Sequence, residues 1–323
     1  NGVVIVLLTP QVNALSPGCN QTGQIILGFF FGADLLPKSP DNPGSNEAEI
    51  FYGLVPDPTN TTCTVDKAEA NERLAATFIH EFQHMISFNQ HVLIRNGSSE
   101  DIWLNEGLSH FAEELGGRLV PDQECPDTGS CAIEFLGSGD VPNAFEYLAS
   151  PEDFFLIEPG NSTGKLQERG ANWLFVRWLA DNFATDTILG TSLTRALVAT
   201  NQVGSTNVVA RTGVDFSTLV GEWQLTNYLD DLPGFSVPTA RLRYKSWNFR
   251  AVADSNGEAY PLQPDSTDGI GYEHTGTLRA GSGKHILVVQ PPGAAAVDLR
   301  VTGGTGASLP SSIQPRVALV RIR

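Results

Sequence analysis

Two histidines four residues apart, His80 and His84, lie on either side of an acidic residue in the stretch HEFQH. On a helix this spacing places both imidazoles on one face, where they can bind a single metal ion. Glu81 is too close to His80 in sequence to complete the same coordination sphere, but it can take a proton from a metal-bound water. Catalytic zinc sites use three protein ligands and leave the fourth position to water. The stretch therefore predicts a hydrolytic zinc site that needs one more protein ligand.

The carboxylate of Glu106, in the stretch WLNEG, is the obvious donor of that third ligand. The histidines themselves are expected on a helix that begins at residue 67. Leu74, Phe78 and Phe82 recur along it at a spacing of four residues, which indicates a buried stripe beside the two imidazoles.

A second helix is predicted to start after Ser98-Ser99, which are good N-cap residues, and to stop at Gly116-Gly117, a good C-terminal signal. Along this helix Glu106, His110 and Glu113 fall near one face. The sequence thus predicts two helices joined by a short polar loop, each offering ligands to one point.

HEFQHM, followed by WLNEGLSHFAEEL, resembles the glutamate-zincins, the metallopeptidase class that contains thermolysin and the aminopeptidase N type enzymes. The closest likeness is to the bacterial hyicolysin-type metallopeptidases. The segment SNEAEIFY, at residues 45–52, is similar to the strand that such enzymes place before the active-site helix. The resemblance implies one catalytic Zn²⁺, with Glu106 as the third ligand and Glu81 as the catalytic base. It also implies that Glu113 supports the ligand shell.

The chain departs from the patterns of both larger groups. Thermolysin has an aspartate four residues after the ligand glutamate, where this chain has His110, and the aminopeptidase N type has a tyrosine where this chain has Gln167. The donor that stabilises the oxyanion is therefore open. The candidates, each of which could instead support the ligands, are His110, Tyr147, Arg169 and Tyr228.

Two interpretations are open for residues 46–52. They could form an edge strand along which an extended peptide substrate pairs, with Asn46 and Ala48 in contact with it. They could equally form a core strand of the sheet.

The chain has 323 residues, a length at which proteins usually form more than one core. Apolar residues make up 41% of it, which is enough for packed cores. Its 36 acidic and 20 basic residues give a net charge of −16. Such a balance argues against nucleic acids or anionic membranes as partners and suits an extracellular protein. The longest apolar runs are too short to cross a membrane.

The four cysteines are far from the histidine motif and none forms a CxxC pair, so a thiolate zinc site is not expected. Cys125 and Cys131 bracket a turn-forming segment that a local disulfide would close. Cys19 and Cys63 then remain as the second predicted pair. Disulfides imply an oxidising compartment.

The predicted fold class is α+β. A zincin-like catalytic domain is expected at residues 1–232, strand-rich over 1–66 and helical over 67–232, followed by a small antiparallel, sandwich-like β-domain at 233–323. The first part has predicted strands at 3–8, 24–31 and 47–54. Further helices are predicted at 168–183, 186–200 and 215–230. The last part has short β-segments at 240–244, 276–278, 285–289, 297–301 and 316–322.

These patterns predict a secreted zinc endopeptidase that acts on proteins or peptides. Because the chain begins without Met, a signal peptide and a pro-segment are expected to have been removed. A zinc aminopeptidase is an alternative, in which Glu47 and Glu49 would capture the free amine of the substrate. A non-catalytic adhesion or surface module on a zincin scaffold is another. The C-terminal part could serve stability, substrate positioning or attachment to a cell surface.

Overall fold

A computed structural model describes residues 2–119, 139–160, 162–186 and 189–322. The fold is α+β, mostly helical with a small sheet. Its contacts form two compact units, one of Asn1–Pro142 with Thr194–Asn207 and one of Asn143–Leu193 with Val208–Arg323. The predicted boundary at 232/233 is a different division of the chain and stays a prediction.

The sheet of the first unit has three strands, β1 (Ile5–Leu8), β2 (Gly28–Phe30) and β3 (Ile50–Gly53). They confirm the three strands predicted in this part, with shorter bounds. The strand order is β1-β3-β2, with β1 parallel and β2 antiparallel to β3. Consequently β3 is the central strand.

Two short helices, α1 (Pro10–Asn13) and α2 (Cys19–Thr22), lie between β1 and β2. They pack on a buried apolar cluster that includes Val12, Leu54 and Val65. The predicted disulfide between Cys19 and Cys63 is present in this cluster, with the two Cα atoms 4.6 Å apart. Cys125 and Cys131 lie outside the described residues.

Helix α3 (Lys67–Phe88) carries the histidine motif. The side chain of Asp66 caps it by accepting the Glu69 N–H, so the helix begins where its first unpaired N–H groups find an acceptor. It continues into a π-helical turn, Asn89–Ile94.

Helix α4 (Ile102–Leu119) begins after the Ser-Ser pair, as predicted, but differs from the prediction at its C-terminal end. It runs through Gly116 and Gly117 without stopping. A glycine ends a helix by adopting a left-handed conformation. Both glycines here are buried and have no positive φ, so they continue the helix.

The remaining helices are mostly in the second unit. Two of them, α6 and α9, confirm the predicted helices at 168–183 and 215–230. Helix α6 is buried along most of its length, with Trp173, Phe175 and Trp178 fully inside. The bounds are α5 (Asp140–Ala149), α6 (Leu166–Phe183), α7 (Thr191–Val198), α8 (Gly204–Thr212), α9 (Phe216–Leu229) and α10 (Phe249–Ser255), with 3₁₀ turns at Gly32–Leu35, Pro151–Asp153 and Ser311–Ile313.

The C-terminal part differs from the predicted antiparallel domain. Its described residues contain one two-stranded sheet, β4 (Asp265–Thr267) with β5 (Ile286–Val288), and the two strands are parallel. Of the five predicted β-segments, only 285–289 contains a strand. Frequent Gly and Pro keep the apolar segments short, and nothing in such short segments specifies the direction of their pairing. Across the described ranges, no helix is both long and apolar enough to cross a membrane.

Candidate metal centre

Helices α3 and α4 bring His80, His84 and Glu106 to one point. The Nε2 atoms of His80 and His84 are 3.1 Å apart. The Glu106 carboxylate is 3.4 Å from Nε2 of His80 through Oε2 and 3.6 Å from Nε2 of His84 through Oε1. Because all three side chains are largely buried, their polar atoms face one another and not solvent.

These separations fit a zinc ion. Bonds of about 2.0–2.1 Å in a tetrahedral arrangement place the ligand atoms about 3.3 Å from one another. The observed distances of 3.1, 3.4 and 3.6 Å lie around that value. Two imidazoles and one carboxylate are also the donor types that zinc prefers.

Glu113 orients the first histidine. Its Oε1 lies 2.7 Å from Nδ1 of His80, so that nitrogen donates its proton to the carboxylate and Nε2 keeps its lone pair for a metal. Burial lowers the pKa of His80, but the carboxylates of Glu106 and Glu113 outweigh it and raise the pKa well above its ordinary value. The two carboxylates that favour a proton on His80 would also favour a metal cation at this point.

The second histidine has a different environment. Ser109 Oγ lies 3.1 Å from Nδ1 of His84 and donates to Oε1 of Gln83 at 2.6 Å. Burial, and then the neighbouring His80, lower the pKa of His84 to about 4. His84 is therefore neutral at physiological pH, which is the form of imidazole that binds metals.

A further buried group lies behind Glu113. Nδ1 of His110 is 2.9 Å from Oε1 of Glu113 and 2.8 Å from Oδ1 of Asp140. Burial lowers the pKa of His110, but the charges of Glu113 and Asp140 raise it to about 9. Burial raises the pKa of Asp140 to about 8, with a further increase from the charge of Glu113. Asp140 could not be identified from the sequence. Its position at the start of α5 indicates a helix start and nothing more, and no sequence motif connects it to α4.

Glu81 adjoins the metal ligands on α3 and also contacts the sheet. The N–H of Phe30, in β2, donates to its Oε2 at 3.0 Å. In the antiparallel pair of β2 with β3, Phe29 and Tyr52 are opposite each other, and the Phe30 N–H is directed to a side chain outside the sheet. The proposed base and an outward-directed backbone donor of β2 are therefore neighbours.

The structure corrects the interpretation of residues 46–52 as an edge strand. Ile50–Gly53 is the central strand, paired on both sides, so the core-strand interpretation applies there. The N–H of Asn46 donates to Oδ1 of Asp34 and that of Ala48 to the Asp34 carbonyl oxygen, at 2.8 and 2.9 Å. Both backbone donors are thus already used within the fold.

Of the candidate oxyanion donors, His110 is the one that the described contacts join to the ligand shell. Tyr147, Arg169 and Tyr228 belong to the second unit. Tyr147 is fully buried and its hydroxyl accepts from Nε2 of Gln224, and its proposed role stays a prediction. Arg169 donates to the Thr163 carbonyl oxygen. The role proposed for Arg169 and Tyr228 stays a prediction.

Comparison with known proteins gives one informative likeness. The chain is 34% identical over 96 residues to the neutral metalloprotease ShpI of Staphylococcus hyicus. The matched region is 29% of this chain and 20% of that protein, so the likeness covers about a fifth of the relative's length. No family model matches the chain.

Proposed function

We propose that this chain is a zinc-dependent endopeptidase, with His80, His84 and Glu106 as ligands and Glu81 as the general base. The observation that carries the proposal is the meeting of three buried ligand atoms at 3.1–3.6 Å, on two helices, with Glu81 beside them. The partial likeness to a neutral metalloprotease supports a metal-dependent protease.

Zinc bound by His80, His84 and Glu106 would supply a water whose pKa is lowered to about 7 and would polarise the scissile carbonyl. The residues of the chain supply the rest. Glu81 accepts a proton from the attacking water and passes it to the departing amine. Glu113 keeps the proton of His80 on Nδ1, which fixes the direction of that ring.

We also propose that the substrate pairs with β2 and not with residues 46–52. The Phe30 N–H donates to Glu81, so a peptide added along this side of β2 would replace that carboxylate as the acceptor and would run past the base. Backbone pairing of this kind holds an extended peptide without requiring particular side chains.

The disulfide between Cys19 and Cys63 supports an oxidising location, and we propose that the protein acts outside the cell. Proteins or peptides are the substrates expected there. Nucleic acid is not an expected partner at a net charge of −16.

Hydrolysis of casein by the purified protein, before and after chelation, tests the proposal. We expect activity to disappear with the metal and to return with zinc. Glu81→Gln is expected to keep stoichiometric zinc and to lose turnover by about 10²–10⁴-fold, because general-base catalysis contributes on that scale. Amino-blocked peptides would be cleaved by an endopeptidase and spared by an aminopeptidase. Full activity after chelation, or of Glu81→Gln, would contradict the mechanism.

A further inference from the structure

A continuous line of buried polar contacts leads from the metal centre to helix α5. It passes from His80 Nδ1 to Glu113 Oε1 at 2.7 Å, from that oxygen to His110 Nδ1 at 2.9 Å, and from His110 Nδ1 to Asp140 Oδ1 at 2.8 Å. The last three side chains are 8%, 7% and 1% exposed, respectively. Only the first of these contacts belongs to the expected ligand support.

We propose that His110 and Asp140 are positioning residues of the metal centre, which together hold the Glu113 carboxylate against His80. The inference rests on the proposed function, because the orientation of His80 matters only if it binds a metal.

Glu113 needs such support because a glutamate side chain has several rotatable bonds and loses their freedom when it is held in one place. Its Oε1 is contacted from two directions, by His80 Nδ1 and by His110 Nδ1. Both contacts therefore restrict the position of the same carboxylate oxygen.

His110 in turn is fixed from outside its own helix. Glu113 and His110 are both on α4, one turn apart, whereas Asp140 is the first residue of α5. Its Oδ1 lies 2.8 Å from Nδ1 of the imidazole, and the ring also contacts that of His80, with 4.6 Å between centroids. His110 is therefore contacted by a residue of a second helix as well as by Glu113 on its own helix.

This arrangement assigns a role to one of the two ring nitrogens of His110. Its Nδ1 faces two carboxylate oxygens within 3 Å, and the residue is 7% exposed. Because Nδ1 is directed at carboxylates inside the protein, that nitrogen supports the ligands and does not donate to an oxyanion.

Substitutions that keep or remove the polar atom test the proposal. His110→Phe keeps a ring without a donor, and His110→Asn restores a nitrogen near the position of Nδ1. Asp140→Ala removes the acceptor, and Asp140→Asn restores one oxygen. Glu113→Ala is the benchmark. Glu114→Gln is the matched control, because Glu114 is equally buried on α4 but pairs with Arg118 at 2.7 Å.

Each full-length variant is measured for zinc stoichiometry, for zinc affinity by chelator competition, for kcat and KM on a blocked peptide, and for the visible spectrum of its Co²⁺ form. Thermal unfolding of the apo protein reports the structural cost separately.

We expect Glu113→Ala to weaken zinc binding by roughly 10–100-fold, the usual effect of removing a group that orients a ligand. His110→Phe and Asp140→Ala should weaken it by at least about threefold and by less than that benchmark. They should lower kcat with little change in KM and shift the Co²⁺ bands. His110→Asn and Asp140→Asn should recover most of the affinity, and Glu114→Gln should bind zinc like the wild type whatever its stability.

The proposal would be overturned if folded His110→Phe and Asp140→Ala kept the wild-type zinc affinity and Co²⁺ spectra while Glu113→Ala weakened zinc binding, because Glu113 would then act without their support. It would also be overturned if the wild type held two zinc ions and lost one on Asp140→Ala, because Asp140 would then be a ligand. Failure of the wild type to bind any zinc would refute the proposed function instead.

Discussion

The disulfide between Cys19 and Cys63 allows a quantitative prediction about the unit that carries the metal centre. The two cysteines are 44 residues apart in sequence. In the chain-entropy model, closing a loop of that length removes about 13 cal/mol/K from the unfolded chain, or about 4 kcal/mol at 25 °C. Folding free energies are about 5–15 kcal/mol in total, so this is a large share.

The double variant Cys19→Ala/Cys63→Ala removes the cross-link. Alanine is preferred to serine because both positions are buried in an apolar cluster, where an unpaired hydroxyl would add its own cost. With an m-value of about 2 kcal/mol/M, we expect the urea midpoint of this unit to fall by about 2 M.

Urea unfolding followed by hydrogen exchange and mass spectrometry resolves the first unit from the second, since peptides from α1, α2 and β3 report on it alone. Reductant should shift the wild type by a similar amount and leave the double variant unchanged, which separates the cross-link from the packing of the sulfur atoms. A double variant that unfolds at the wild-type midpoint would show that the loop is already constrained without the disulfide, and the entropic reasoning would fail.

Three further outcomes are expected. His84→Ala should lose zinc and activity together, as measured by metal analysis of the folded protein. Burial and the neighbouring Asp231 raise the pKa of Asp230 to about 7, so the folded state keeps a proton that the unfolded state releases above about pH 4. Stability should therefore fall as pH rises from about 4 to about 7, and Asp230→Asn should flatten that slope in thermal unfolding. Truncation after Leu232 should leave the zinc ligands in place but destabilise α6 and α9, as seen by hydrogen exchange.

Much of the candidate centre could be predicted because its signals are local. A spacing of four residues on a helix places His80 and His84 together whatever surrounds them. Glu106 lies on the next helix in the chain, and consecutive helices joined by a short loop pack against each other. The contacts between these three side chains therefore needed little beyond helix periodicity.

The order of the strands could not be predicted in the same way. Residues 50–53 have the apolar character of any buried strand, and their central place depends on parallel pairing with β1, far away in sequence. The contact of Phe30 with Glu81 spans 51 residues and follows from that order. For this reason the sequence left residues 46–52 open as either a substrate strand or a core strand, and only the strand order identifies residues 50–53 as central.

The contact of Asp140 with His110 could not be predicted from the sequence either. An aspartate at the start of a helix is common because it interacts favourably with the helix dipole, and this role would explain it fully from sequence. Only the tertiary structure places its carboxylate 2.8 Å from His110. Groups that act through another residue leave no spacing pattern, because their partner is set by tertiary structure.

In the C-terminal part, long-range contacts also limit how well domain boundaries can be predicted from sequence. The boundary predicted at Pro233 and Gly234 stays a prediction, and backbone groups beyond it hydrogen-bond to residues before it. Trp178 Nε1 donates to the Arg241 carbonyl oxygen at 2.7 Å, and the Leu156 N–H donates to that of Ala280 at 3.0 Å. Carbonyl oxygens are present at every residue, so such bonds have no sequence signature. A turn-forming dipeptide therefore marks where the chain changes direction, and the contacts on its two sides decide whether it also separates two folding units.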